Sequence, residues 1–299
     1  MPTDSQLLHG VFPAMVTPFA EDGSIDHEAL ADEARRLEKA DVDGLVPAGS
    51  TGESATLSHD EHVEVVETVT DAVDVPVIAG SGSNNTEEAL SLSRRCADAG
   101  ADALLLISPY YNKPEPEGME AHYRRIADQI DLPQVVYNVP SRTGRSIDVD
   151  TAVSLASHEN IRGYKAAGGD LSAISELVER TDEEAFAVLS GDDPLTLPVM
   201  SVGGVGAISV VANVAPLRVA EIVRAALEND FAAARRAHHE LGPLTRALFA
   251  ETNPIPVKEA LHYTEGVSPQ VRPPLSRLSR EHRRDLESLL SELELGVRR

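Results

Sequence analysis

Lysine is the scarcest charged residue in this chain, with four (Lys39, Lys113, Lys165, Lys258) against 22 arginines. Lys165 closes the short run Ile161-Arg162-Gly163-Tyr164-Lys165, and a glycine turn with an acidic residue, Gly168-Gly169-Asp170, follows. An amine in an apolar setting loses its proton more easily, because burial disfavours the charged form, and only the free amine attacks a carbonyl. Lys165 is therefore read as a Schiff-base nucleophile. The plainer alternative is a lysine whose stem lies on apolar surface while its head reaches water. Thr17, the loop Gly49-Ser50-Thr51-Gly52-Glu53-Ser54, Tyr110, Tyr111 and Tyr137 also stand at or just after the ends of short apolar runs. One lysine with tyrosines and small hydroxyls suits imine chemistry with proton relays.

These residues need a scaffold that brings run ends together. Eight short apolar runs, at 11–16, 44–46, 75–79, 103–107, 134–137, 161–165, 186–189 and 204–208, alternate with helical patterns. Continuous apolar runs are expected for strands covered on both faces. Strands alternating with helices, eight in number, predict an α/β fold of the closed (β/α)8 TIM-barrel type. An open doubly wound sheet is the runner-up, but no run opens into a GxGxxG. The barrel should occupy residues 1–229 and a C-terminal helical appendage residues 230–299, with helices at 231–251, 254–263 and 279–295. Asn253-Pro254 reads as an N-cap with proline at the first helical position, and Ser58 with Glu61 reads as a capping box. In such barrels chemistry sits at the C-terminal strand ends, where Lys165, Tyr137 and the 49–54 loop would converge.

The net charge of -23 is spread along the chain, and 42% of residues are apolar. That apolar content, recurring periodically, excludes disorder despite the acidity. A surface rich in Asp and Glu and poor in Lys suits high salt, where screening removes self-repulsion. The same charge argues against nucleic-acid binding. The single Cys96 excludes an internal disulfide and a multi-cysteine metal site, and lies on an apolar helical face as a small core residue. Residues 1–10 carry no leader pattern and no run approaches a membrane span, so a soluble cytoplasmic protein is expected.

Four separated stretches resemble motifs of the class I pyruvate-dependent aldolases of the N-acetylneuraminate lyase superfamily. They are Gly49-Ser50-Thr51-Gly52-Glu53-Ser54, Tyr137-Asn138-Val139-Pro140-Ser141-Arg142-Thr143-Gly144, Lys165, and Asn253-Pro254-Ile255-Pro256-Val257-Lys258. Within that superfamily they are most similar to the dihydrodipicolinate synthases, from about residue 8 to about residue 265. The resemblance implies a covalent pyruvate imine on Lys165, with no metal and no separate cofactor. Tyr137 would relay protons, with Ser50 and Tyr111 completing the hydroxyl relay and Tyr111 crossing from a neighbouring subunit. Backbone N–H groups of Ser50 and Thr51 would hold the pyruvate carboxylate, with Gly191 and Ile208 lining the site. Arg142 would hold the carboxylate of the second substrate, L-aspartate 4-semialdehyde, for which a planar fork is suited. The product would be 4-hydroxy-tetrahydrodipicolinate, in lysine and diaminopimelate biosynthesis, and the assembly a homotetramer of tight dimers.

Two positions depart from the family pattern. Ser50 replaces the usual threonine, losing the stiffness that branching at Cβ gives. Ala166 stands where a glutamate normally follows the lysine. The rivals are a 2-keto-3-deoxy-sugar-acid aldolase, which releases pyruvate, and N-acetylneuraminate lyase. A non-catalytic sensor on the same barrel is disfavoured by the intact Lys165, Tyr137 and Arg142. Ser54, Ala55, His59, His62, Asn84, Glu88 and Tyr110 match positions that bind L-lysine as an inhibitor in some members. The alternative for His59 and His62 is a surface helix with two solvated histidines; a zinc pair would need further ligands. Lys258 is expected to anchor the appendage, Lys113 to lie at the rim, and Gly204-Val205-Gly206 to permit close backbone approach near the substrate.

Overall fold

A computed structural model describes residues 7–295. The leader-free reading of residues 1–10 falls largely outside that range. The first half runs β1 (Gly10–Pro13), α1 (His27–Lys39), α2 (His59–Thr70), β2 (Ile78–Gly80), α3 (Thr86–Asp98), β3 (Ala103–Ile107), α4 (Pro116–Ala127), β4 (Gln134–Asn138), α5 (Pro140–Thr143) and α6 (Val149–Ala156). The second half runs β5 (Ile161–Ala166), α7 (Leu171–Arg180), β6 (Ala187–Ser190), α8 (Thr196–Ser201), β7 (Gly206–Ser209), α9 (Pro216–Leu227), α10 (Phe231–Leu248), α11 (Ile255–Glu265) and α12 (Arg280–Glu292).

The seven strands form one parallel sheet in the order β1-β7-β6-β5-β4-β3-β2. The predicted strand at 44–46 is not a regular one. It lies between β1 and β2 and joins them through single bridges, Ala14 to Val46 and Leu45 to Val77. The Met15 N–H donates to Val46 O at 3.0 Å and the Ile78 N–H to Leu45 O at 2.8 Å. These bonds close the ring, so the architecture is the expected barrel with a seam at its eighth position. Pro13, Pro47 and Pro76 flank the seam, and each lacks the N–H that a ladder needs. For the same reason β2 starts later than predicted: Pro76 cannot donate, and the Val77 N–H is taken by Asp102 Oδ2 at 2.9 Å.

Helix starts follow local chemistry. Asp26, Asn85 and Asp170 accept from first-turn N–H groups of α1, α3 and α7. Ser58 and Glu61 form the predicted capping box on α2. At α11 the local reading misses by one position: Pro254 is itself the N-cap residue, and Asn253 stands outside the helix with its amide committed elsewhere. The Gly204-Val205-Gly206 stretch also differs from expectation. A Cβ at Gly206 would lie 2.2 Å from Gly10 O, so the close approach is to the start of β1, at the opposite end of the strands from the site.

The barrel interior is packed by Phe12, Val46, Ile78, Leu105, Val135, Leu189 and Ile208. Helices α1 to α7 cover its outside with a second layer that includes Leu30, Val65 and buried Cys96. The C-terminal helices share a third cluster with the barrel, in which Val11, Val16 and Ala207 meet Leu241, Leu244, Val257 and Leu286. Each such Val or Leu side chain contributes about 1.5–3 kcal/mol by leaving water. Removing the C-terminal helices would therefore expose barrel residues.

Candidate active site

Lys165 lies in β5 directly opposite Tyr137 of β4. Its Nζ stands 4.1 Å from the centroid of the Tyr137 ring. Gly191, just after β6, presses on the lysine stem: a Cβ there would meet Lys165 Cγ at 2.7 Å. Lys165 is 6% exposed, and no protein acceptor binds its amine among the described residues. Burial pulls its pKa down to about 7; the charge of Asp193 opposes this and that of Arg142 adds to it. Burial likewise pushes the Tyr137 phenol up, while the charge of Arg142 and the nearby Ser50 hydroxyl pull it back. The amine is thus half free near neutrality, beside a phenol that keeps its proton. That pairing suits attack on a carbonyl with proton transfer through the tyrosine.

The 49–54 turn faces this pair. Ala48 and Glu53 bracket it with left-handed backbones, φ 53° and 56°. Thr17 donates to Gly52 O at 2.7 Å, tying the turn to the end of the first barrel segment. The Ser50 and Thr51 N–H groups find no protein acceptor among the described residues. Free backbone N–H groups of this kind suit an anion, since they cost no reorganisation when charge develops. Ile208 is buried in β7 and joins Tyr137 in the interior cluster.

Arg142, on the exposed turn α5, donates to Asn253 O at 3.0 Å. No ion pair involves it among the described residues. Tyr111 is not brought to the lysine of its own chain. It is 87% exposed, with a left-handed backbone at φ 66° that turns it outward. Lys113 is exposed, as expected of a rim residue.

The residues named for L-lysine gather where α2 and α3 begin. His59 faces Glu88 at 3.1 Å, and Glu88 also accepts from Ser83. Asn84 O accepts from Asn112 at 3.1 Å, beside half-exposed Tyr110. Ser54 and Ala55 lie in the short turn before α2. His62 departs from the solvated alternative: it is 4% exposed and its Nε2 contacts Gly80 O at 2.5 Å. The two histidines are one helical step apart, and the buried boundary of α2 runs between them.

Three contributors escape a sequence reading. Asp193 is buried, accepts from Ser209 and from the Val210 N–H at 2.9 Å, and its charge reaches Lys165. Its one signal was an acidic doublet two residues after an apolar run. Asn253 reaches Thr51 Oγ1 at 3.0 Å. Glu53 pairs with buried Lys258 at 2.5 Å. Lys258 thereby anchors α11 to the barrel, as expected.

Residues 7–293 match the model of the dihydrodipicolinate synthetase family. The chain belongs to that family. A relative from Haloarcula marismortui, a 4-hydroxy-tetrahydrodipicolinate synthase, is 67% identical over 287 residues, covering 96% of this chain and 94% of that protein. Among solved structures, a dihydrodipicolinate synthase from Acinetobacter baumannii complexed with pyruvate is 39% identical, with TM-score 0.94 over 96% of this chain and 99% of that one. One from Cyanidioschyzon merolae with lysine bound is 36% identical, with TM-score 0.93 over 97% and 99%. The barrel and the C-terminal helices are those of a dihydrodipicolinate synthetase family member.

Proposed function

We propose that the chain condenses pyruvate with L-aspartate 4-semialdehyde to give 4-hydroxy-tetrahydrodipicolinate through an imine on Lys165. The observation that carries this reading is the lysine itself: buried, its pKa drawn to about 7, and 4.1 Å from the Tyr137 ring. The free amine adds to the keto carbon of pyruvate, and water leaves to give an iminium. The iminium draws electrons from the methyl carbon, which loses a proton and becomes an enamine. That carbon attacks the aldehyde carbon of the acceptor, whose oxygen takes a proton through Tyr137. The acceptor's own amine then adds to the former keto carbon, closing the ring and freeing Lys165.

Ser50 shares the Tyr137 relay, and the Ser50 and Thr51 N–H groups hold the pyruvate carboxylate, with Gly191 and Ile208 at its sides. Arg142 receives the acceptor's carboxylate. The outward Tyr111 serves the mouth of a neighbouring subunit in a homotetramer built from tight dimers. L-lysine binds the rim formed by Ser54, Ala55, His59, His62, Asn84, Glu88 and Tyr110, where Glu88 offers the countercharge for an ammonium. The lysine-bound algal structure supports this. Buried free Cys96 suits the reducing cytoplasm.

Borohydride reduction in the presence of pyruvate should leave a covalent adduct on Lys165, seen by peptide mass. Pyruvate should then be consumed with aspartate semialdehyde and not released from 2-keto-3-deoxygluconate. Absence of the adduct defeats the imine, and the reverse substrate preference defeats the acceptor assignment.

A further inference from the structure

The C-terminal region grips the 49–54 turn at both ends. At one end Asn253 Nδ2 donates to Thr51 Oγ1 at 3.0 Å, while the carbonyl of the same residue receives Arg142 at 3.0 Å. At the other end Lys258 Nζ donates to Glu53 Oε1 at 2.5 Å and to Gln270 O at 2.6 Å. The Arg272 N–H donates to Glu53 Oε2 at 2.9 Å. The Lys258 and Glu53 side chains are 0% and 1% exposed. The Arg272 guanidinium goes on to Glu61 of α2 and to the carbonyls of Gly23 and Thr56. Both cations also stand over Phe19, at 4.2 and 4.4 Å from its ring centre.

A buried ion pair is a poor way to stabilise a fold, since apolar side chains of the same volume serve as well or better. What it supplies is direction. Here it fixes Glu53, whose left-handed backbone persists only if its surroundings over-determine it. Asn253 fixes the other side of the same turn, one residue from Ser50. Between the two grips lie the free N–H groups of Ser50 and Thr51.

Building on the imine reading above, we infer that Asn253 and Lys258 are positioning residues for the carboxylate of the α-keto acid. They act through Thr51 and Glu53 and set the distance between the Ser50 and Thr51 N–H groups and Lys165. Asn253 also couples these groups to Arg142, so the seats of the two substrate carboxylates share one strut.

The test uses the full-length chain with pyruvate as the probe. It reads the pyruvate concentration giving half-maximal borohydride-trapped adduct, together with kcat and the thermal midpoint. Two variants are compared, Asn253→Ala and the double substitution Glu53→Gln with Lys258→Met, which removes both charges at similar volume. Each should raise the half-saturating pyruvate concentration by about tenfold or more, because small misplacements of a binding group cost that much. The kcat at saturating pyruvate should fall less, and Asn253→Ala should melt close to the parent. Unchanged half-saturation in Asn253→Ala overturns the inference, as does a lowered midpoint without that change. Should the double variant not fold, Asn253→Ala decides alone. A parent chain that yields no adduct fails differently, by removing the imine reading and the positioning role with it.

Discussion

The molecule buries two lysines, and they have opposite fates. Lys165 at the barrel mouth and Lys258 at the seam with the C-terminal helices each stand over an aromatic face, 4.1 and 4.2 Å from the centroids of Tyr137 and Phe19. Among the described residues only Lys258 has acceptors, a carboxylate and a carbonyl. Burial lowers both pKa values, but Lys258 settles at about 8, held up by Glu53, and stays protonated at neutral pH. Lys165 comes down to about 7. Burial disfavours both charges, and the fixed acceptors of Lys258 are what offset it.

The sharpest break of this comparison is Lys165→Arg, which keeps the charge but cannot form an imine. Turnover should fall by on the order of 10⁴-fold or more, as when a nucleophile is removed. Residual activity within tenfold of the parent would show that chemistry lies elsewhere. Lys258→Met should do the converse: saturating pyruvate still yields the adduct on Lys165, at a raised half-saturating concentration, but Glu53 is stranded. The expected loss of stability is about 3–5 kcal/mol, read from denaturant unfolding, and adding Glu53→Gln should recover most of it. If the single and double variants unfold alike, the pair is not coupled. The mildest effect is in pH. The amine of Lys165 loses its proton as pH rises through about 7, so the rate of adduct formation should climb there and level off above. A rate still climbing toward the ordinary lysine value of 10.5 would mean that the pocket does not desolvate the amine.

What could be read in advance was what depends on neighbours in the chain. Asp26, Ser58 with Glu61, and Asp170 announce their helices by local hydrogen bonding, and Lys165 announces itself by scarcity at a run's end. The rest depends on contacts distant in sequence. Leu45 and Val46 have the composition of a strand, yet regular pairing fails because prolines stand on the segments beside them. Asn253 has the residue type of a helix cap, but Pro254 takes the cap position, and the Asn253 Nδ2 donates to a hydroxyl 202 positions away. His59 and His62 share a helical face by spacing, while only packing decides where the surface crosses it. Asp193 carries no local mark of burial at all.

The seam at 44–47 leaves the barrel wall held by single bridges at the point where the chain enters the 49–54 turn. Three backbone bonds still tie that segment to each neighbour: Asp43 N–H to Val11 O, Val46 N–H to Pro13 O and Met15 N–H to Val46 O on one side, and Leu45 N–H to Pro76 O, Ile78 N–H to Leu45 O and Gly80 N–H to Pro47 O on the other. The turn that follows is thus tethered twice, to the barrel wall through this segment and to the C-terminal helices through Asn253 and Lys258, and a displacement of either body is transmitted to it.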